Sequence, residues 1–224
     1  MTDPGLKDRL AAVHDRIENA VARARRRSSD VRLLAVTKVF PASAICDAYE
    51  LGLRDFGENY VQEFETKAPH VSELRDARFH LIGHLQSNKS HLASELFHVI
   101  QTVDSAKLAR RLNEGIRALD VMIEVKLSEE ESKSGADPTE LTAIVDACRA
   151  APNLRLLGLM TVPPWSEDAE QSRPYFARLR ELAARYSLDQ LSMGMSGDME
   201  VAIEEGATCV RVGTALFGKR RKHA

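Results

Sequence analysis

Only three of the 224 residues are cysteines, Cys46, Cys148 and Cys209, and no two have zinc-ligand or redox-motif spacing. They read as small apolar groups of a protein in a reducing cytoplasm. No apolar run approaches a membrane span, and MTDPGLKDRL lacks the apolar centre of a signal peptide, with Asp3 and Pro4 reading as a helix start. Neither charge sign dominates. A net charge of -2 gives no general pull toward nucleic acid or an anionic membrane. A glycine-rich fingerprint at the first βα turn is also missing, which argues against a dinucleotide-binding open sheet. What remains is 44% hydrophobic and 29% charged, which excludes a disordered or fibrous chain and leaves enough length for one sizeable core.

Apolar runs at 31–37, 53–56, 78–83, 97–103, 121–127, 154–160, 190–193 and 209–212 alternate with helix-like stretches. The stretches are 6–27, 42–51, 61–74, 89–95, 105–119, 138–150, 168–186 and 198–205, with a last helix from 214. Strands alternating with helices imply a parallel sheet. Eight such units imply a (β/α)8 TIM-type barrel in α/β class, preceded by an extra helix. With no low-complexity linker, the expected organisation is one domain over 1–224: helix about 6–27, barrel about 31–218, basic tail 219–224.

Function in such a barrel collects on the loops after the strands. Lys38 stands at the end of the run Val31-Arg32-Leu33-Leu34-Ala35-Val36-Thr37, with an apolar wall behind it. Desolvation disfavours the ammonium, and a neutral lysine forms Schiff bases; the bland alternative is a lysine that ends its strand in water. The last two loops, Gly194-Met195-Ser196-Gly197-Asp198 and Gly213-Thr214, have the small residues and following short helix of a barrel phosphate site. A plain turn, with Ser196 or Asp198 as a helix N-cap, is the competing reading. Arg211 inside the eighth run is costly unless paired, so it either faces the mouth and holds a ligand or bridges to an acid such as Glu124.

The segments LLAVTK, FGENYVQE, FHLIGHLQSNK, ESKSG, LGLM, LSMGMSGDMEVAIEEG and VRVGTALFG, in order over about 33–218, strongly resemble the pyridoxal phosphate homeostasis protein family. The resemblance implies a fold-type III barrel similar to the N-terminal domain of alanine racemase. It implies pyridoxal 5'-phosphate held as a Schiff base on Lys38, with Ser196, Gly213 and Thr214 at the phosphate. It also implies Arg211 near the pyridine nitrogen and Asn59 beside the ring substituents. A permanent cation there discourages ring-nitrogen protonation and weakens the ring as an electron sink.

The expected role is storage, buffering or delivery of the cofactor by a cytoplasmic monomer, with cofactor-requiring enzymes as acceptors. The rival is a small amino-acid racemase, which needs a second proton-transfer group opposite Lys38. Alanine racemases take that tyrosine from a separate β-domain, which is not expected after residue 218; Tyr60 is more readily a helix-packing residue. A cofactor-independent lysine aldolase acting on a phosphorylated substrate fits the cup but not the family motifs.

His80, His84 and His91 suggest a metal, but on a strand His80 and His84 lie roughly 13 Å apart. The basic clusters 23–27 and 219–222 lack interleaved aromatics and read as a helix C-terminal end and a solvated tail, not as specific nucleic-acid sites. Lys133, in a polar loop near the mouth, is a candidate second cofactor contact or simply a solvent-facing lysine.

Overall fold

Strands buried on both faces need near-continuous apolar runs, and the eight runs meet that need by pairing side by side in parallel. The computed structural model describes residues 5–128, 130 and 134–218. Its strands are β1 Arg32–Val36, β2 Asp55–Glu58, β3 Arg78–Leu81, β4 Val99–Val103, β5 Leu119–Glu124, β6 Leu154–Met160, β7 Gln190–Met195 and β8 Cys209–Val212. They follow one another in chain order and β8 returns to β1, Leu34 facing Arg211 and Ala35 facing Val212, so the barrel closes. Closure leaves no open sheet edge.

The helices are α1 Leu6–Arg23, α2 Ala42–Glu50, α3 Val61–Lys67, α4 Ser90–Leu96, α5 Ala106–Asn113, α6 Leu141–Arg149, α7 Arg173–Arg185, α8 Met199–Glu204 and α9 Thr214–Phe217. Helix α1 buries Leu6, Leu10, Val13, Ile17, Ala20 and Val21, a stripe of helical period. That stripe packs on α8 and α9, the helices that follow the last two strands. No described helix is long and apolar enough to cross a membrane.

Several boundaries differ from the sequence expectation, among them the helix expected over 61–74, which stops at Lys67. The helix expected over 105–119 stops at Asn113, and Leu119 instead opens β5, where all six residues are buried. Strand β2 shifts toward Glu58 because Asp55, Phe56, Gly57 and Glu58 pair with Arg78, Phe79, His80 and Leu81. Gly57 suits that place, since a Cβ there would sit 3.1 Å from Leu34 Cδ2 and from Ile82 Cδ1. Finally, α1 ends at Arg23 and Arg25 turns to φ 55°.

The basic cluster stands at the C-terminal end of α1, with Arg23 in its last turn. Arg26 donates to the Ile203 carbonyl at 2.8 Å and Arg23 to Glu204 at 2.8 Å, so the arginines grip the C-terminal end of α8. Asp3, Pro4, Ser132, Lys133 and the tail 219–224 lie outside the described residues.

Candidate functional site

Lys38, Asn59, Ser196, Arg211, Gly213 and Thr214 all line one cavity of about 380 Å³. They lie as far as 176 residues apart in the sequence (Lys38 to Thr214): Lys38 follows β1, Asn59 follows β2, Ser196 follows β7, Arg211 is in β8, and Gly213 and Thr214 follow it. They meet because strand ends converge at one rim of a barrel. Val36, Ile82, Val162, Pro164, Trp165 and Met195 supply the apolar wall.

Lys38 is half-buried, two residues past the end of β1. The turn that carries it is fastened from beneath. Phe40 N donates to the Thr37 carbonyl at 3.1 Å, and Thr37 Oγ1 donates to Glu58 Oε1 at 2.8 Å. Lys67 Nζ reaches the Thr37 carbonyl at 3.0 Å, Glu58 Oε1 at 2.9 Å and Glu63 Oε1 at 2.6 Å. Burial pushes the Glu58 carboxyl above the ordinary range while Lys67 pulls it back. Val39 adopts φ 62°, a left-handed conformation that disfavours a β-branched side chain, and its N–H is held by Glu63 Oε1 at 2.6 Å.

Asn59 follows β2 directly. Its Oδ1 is buried without a hydrogen-bond partner, and Gly83 lies so close that a Cβ there would stand 2.2 Å from the Asn59 carbonyl oxygen. A buried unpaired acceptor on the wall of a cavity is costly by itself and suits a donor on a ligand.

The two late loops are tied to each other. Ser196 Oγ accepts from Ala215 N at 3.3 Å, in the first turn of α9, so Ser196 bridges the β7 and β8 loops. Arg16 of α1 donates to the Ser196 carbonyl at 2.9 Å and pairs with Glu200 at 2.6 Å. Asp198 does not cap α8 with its side chain. Its carboxylate instead accepts from Met195 N at 2.7 Å and Ser172 Oγ at 2.9 Å, closing the 194–198 turn. Gly194 holds φ 90° there, and a Cβ would come within 2.5 Å of the Ala202 Cβ.

Arg211 is 3% exposed and lines the cavity. It donates to Ser192 Oγ at 2.9 Å and to the Thr161 carbonyl at 2.8 Å. Glu124 is therefore a neighbour in charge and not a hydrogen-bonded bridge. Burial raises its carboxyl to about 7, with Arg211 opposing the shift and Asp104 adding to it.

Tyr60 is 56% exposed and lines an adjoining cavity with His84 and Lys89, so it does not pack on a helix. His80 is buried between Asp55 and Gln101, His84 sits 3.5 Å from Asp104, and His91 lies beside Glu95. Sequence reasoning missed Lys67, Glu63, Arg16 and Ser192. The Glu63–Lys67 spacing of four on a helix was the one local signal among them.

A closed (β/α)8 barrel with a rim lysine facing two small-residue loops and a buried arginine defines a class of barrel binding protein. The profile of the alanine racemase N-terminal domain family matches residues 10–221. The chain belongs to this family, and within it to the pyridoxal phosphate homeostasis proteins. It is 46% identical over 221 residues to the Pseudomonas aeruginosa pyridoxal phosphate homeostasis protein, covering 96% of each chain. It is 46% identical over 222 residues to the Escherichia coli K12 protein of that name, covering 94% of this chain and 95% of that one. The structure of PipY from Synechococcus elongatus with PLP bound matches at 38% identity and a TM-score of 0.83, over 95% of this chain and 100% of that one. A Clostridium difficile alanine racemase shares the fold alone, at 12% identity and a TM-score of 0.73, over 99% of this chain and 58% of that one.

Proposed function

We propose that the chain binds pyridoxal 5'-phosphate as a Schiff base on Lys38 and stores, buffers or delivers it to cofactor-requiring enzymes. The observation that carries this reading is the convergence of Lys38, Asn59, Ser196, Arg211, Gly213 and Thr214 on one cavity. The donor set suits the group: an amine for the aldehyde, small-residue loops and hydroxyls for the phosphate, and an unpaired buried Asn59 Oδ1 for a ring substituent. When bound, the cofactor supplies an aldehyde that condenses with primary amines.

The chain's own residues bind and orient. Ser196, Gly213 and Thr214 hold the phosphate end, and Arg16 steadies Ser196 from α1. Arg211 would set its charge against the ring nitrogen, and the apolar wall shields one side of the half-buried Lys38. Among the described residues lining the cavity the titratable groups are Lys38, Asp198 and Arg211, and Asp198 is engaged by Met195 and Ser172. That set favours a carrier over a racemase, which needs a second proton-transfer group facing Lys38. We read the protein as a cytoplasmic monomer whose partners are acceptor enzymes.

Trp165, the only tryptophan, is 81% exposed on the cavity rim and serves as a built-in reporter. Added pyridoxal phosphate is expected to quench its fluorescence and give a visible band, and borohydride is expected to trap the cofactor on Lys38. A colourless protein with unchanged fluorescence overturns the reading. Rapid deuterium incorporation at the α-carbon of an amino acid selects the racemase.

A further inference from the structure

Behind Arg211 a line of polar side chains crosses the barrel interior. Arg211 Nη1 lies 2.9 Å from Ser192 Oγ, and Ser192 Oγ lies 2.6 Å from Gln101 Oε1. Gln101 Nε2 lies 3.0 Å from His80 Nδ1, and His80 Nε2 lies 2.9 Å from Asp55 Oδ1. The line runs through β8, β7, β4, β3 and β2. Ser192 has 0% exposure, His80 and Gln101 1% each and Arg211 3%, so water does not compete for these bonds.

The carboxylate end dictates the direction of the chain. A guanidinium only donates, so Ser192 Oγ accepts from Arg211. A carboxylate only accepts, so His80 carries its proton on Nε2 toward Asp55. Burial keeps the His80 ring below its usual range and neutral, which leaves Nδ1 as an acceptor. Gln101 must then offer Nε2 to His80 and Oε1 to Ser192. With Oε1 toward Ser192, the Ser192 hydroxyl donates to Gln101, which agrees with Arg211 donating to Ser192.

Apolar side chains of similar volume would fill a barrel core at least as stably as this chain of buried polar groups. What the chain adds is direction. Together with the bond from Nη2 to the Thr161 carbonyl at 2.8 Å, it holds the guanidinium at two points while Arg211 still lines the cavity.

We propose that Gln101, acting through Ser192, is a positioning residue for Arg211, and that the one-way chain from Arg211 to Asp55 fixes the guanidinium against the cofactor ring. This rests on the reading that pyridoxal phosphate occupies the cavity with its ring nitrogen toward Arg211. A freely turning arginine would present a variable charge to that nitrogen; a two-point hold presents a constant one.

The test compares wild type, Ser192→Ala, Ser192→Thr and Gln101→Leu. With pyridoxal phosphate added, Ser192→Ala is expected to shift the visible band and to bind about tenfold more weakly, the effect of one lost bond to a charged group. Gln101→Leu, which removes the support of that bond, is expected to change both in the same direction. Ser192→Thr keeps the hydroxyl and is expected to restore both. In the cofactor-free wild type, ¹⁵N NMR of His80 is expected to show a protonated Nε2 and a bare Nδ1. The proposal is overturned by folded Ser192→Ala protein with an unshifted band and unchanged affinity, or by the opposite His80 tautomer. Should Gln101→Leu fail to fold, Ser192→Ala and the wild-type NMR decide alone. Absence of any band in wild type sinks the cofactor reading, while the His80 measurement still tests the chain.

Discussion

Lys67 reaches from α3 to the base of the Lys38 turn, its Nζ 2.9 Å from Glu58 Oε1 and 3.0 Å from the Thr37 carbonyl oxygen. Glu58 has 0% exposure, so this is a buried pair whose members depend on each other. Lys67→Met is expected to destabilise the protein by about 3–5 kcal/mol at neutral pH, the usual effect of stranding one member of such a pair. The loss shrinks in acid, where Glu58 takes up a proton, and Glu58→Gln in the same chain recovers part of it. Urea unfolding at pH 7 and pH 5 checks both outcomes.

Val39 stands at φ 62° immediately after Lys38. An L-residue in that region loses about 1–2 kcal/mol, and glycine gives back about 0.5–1 kcal/mol in unfolded-chain entropy. Val39→Gly is therefore expected to raise stability modestly, by up to about 1 kcal/mol. Val39→Pro, whose ring fixes φ near −65°, is expected to displace the turn and lose cofactor retention. Thermal melting and Trp165 quenching measure the pair; a strongly destabilised Val39→Gly would contradict the strain argument.

The Glu124 carboxyl, raised by burial to about 7, makes stability depend on pH. Its folded pKa lies above the unfolded value near 4.3, so the folded state binds more protons between those values. Stability from this group therefore rises as pH falls from about 7 toward 4.3, by an amount on the order of 3 kcal/mol. Glu124→Gln removes the slope. The check is the difference in unfolding free energy between wild type and variant at pH 5 and pH 8: an equal difference at both would refute the shift.

Gly83→Ala places a Cβ 2.2 Å from the Asn59 carbonyl oxygen, and backbone cannot step aside as a flexible side chain can. Overpacking of this kind is expected to cost about 1–3 kcal/mol and to move Asn59 off the cavity wall, weakening cofactor binding. Gly197→Ala meets nothing within 4 Å and is expected to leave stability unchanged. Melting curves and Trp165 titrations of the two variants provide the comparison.

Much of the rim was legible because a parallel barrel converts sequence position into place. Lys38 after β1 and Ser196, Gly213 and Thr214 after β7 and β8 needed only the alternation of runs and helices to be set on one rim. Arg211 was marked by its cost inside an apolar strand, but its choice of partner was not. Ser192 and Gln101 are 91 residues apart and touch only once the barrel closes, and neither has a local pattern that announces it. The same holds for Arg16, which meets Ser196 across 180 residues.

By itself the sequence determined the order of elements, the rim on which chemistry collects and which side chains there have the chemistry to suit an aldehyde and an anion. These follow from local periodicity and from the side chains' own chemistry. Only the tertiary structure decided that Arg211 bonds Ser192 and Thr161 in place of Glu124, that Asp198 closes a turn instead of capping α8, and that a buried lysine on α3 supports Lys38. Those choices depend on which polar groups closure removes from water together, and burial makes each one take the partner within reach.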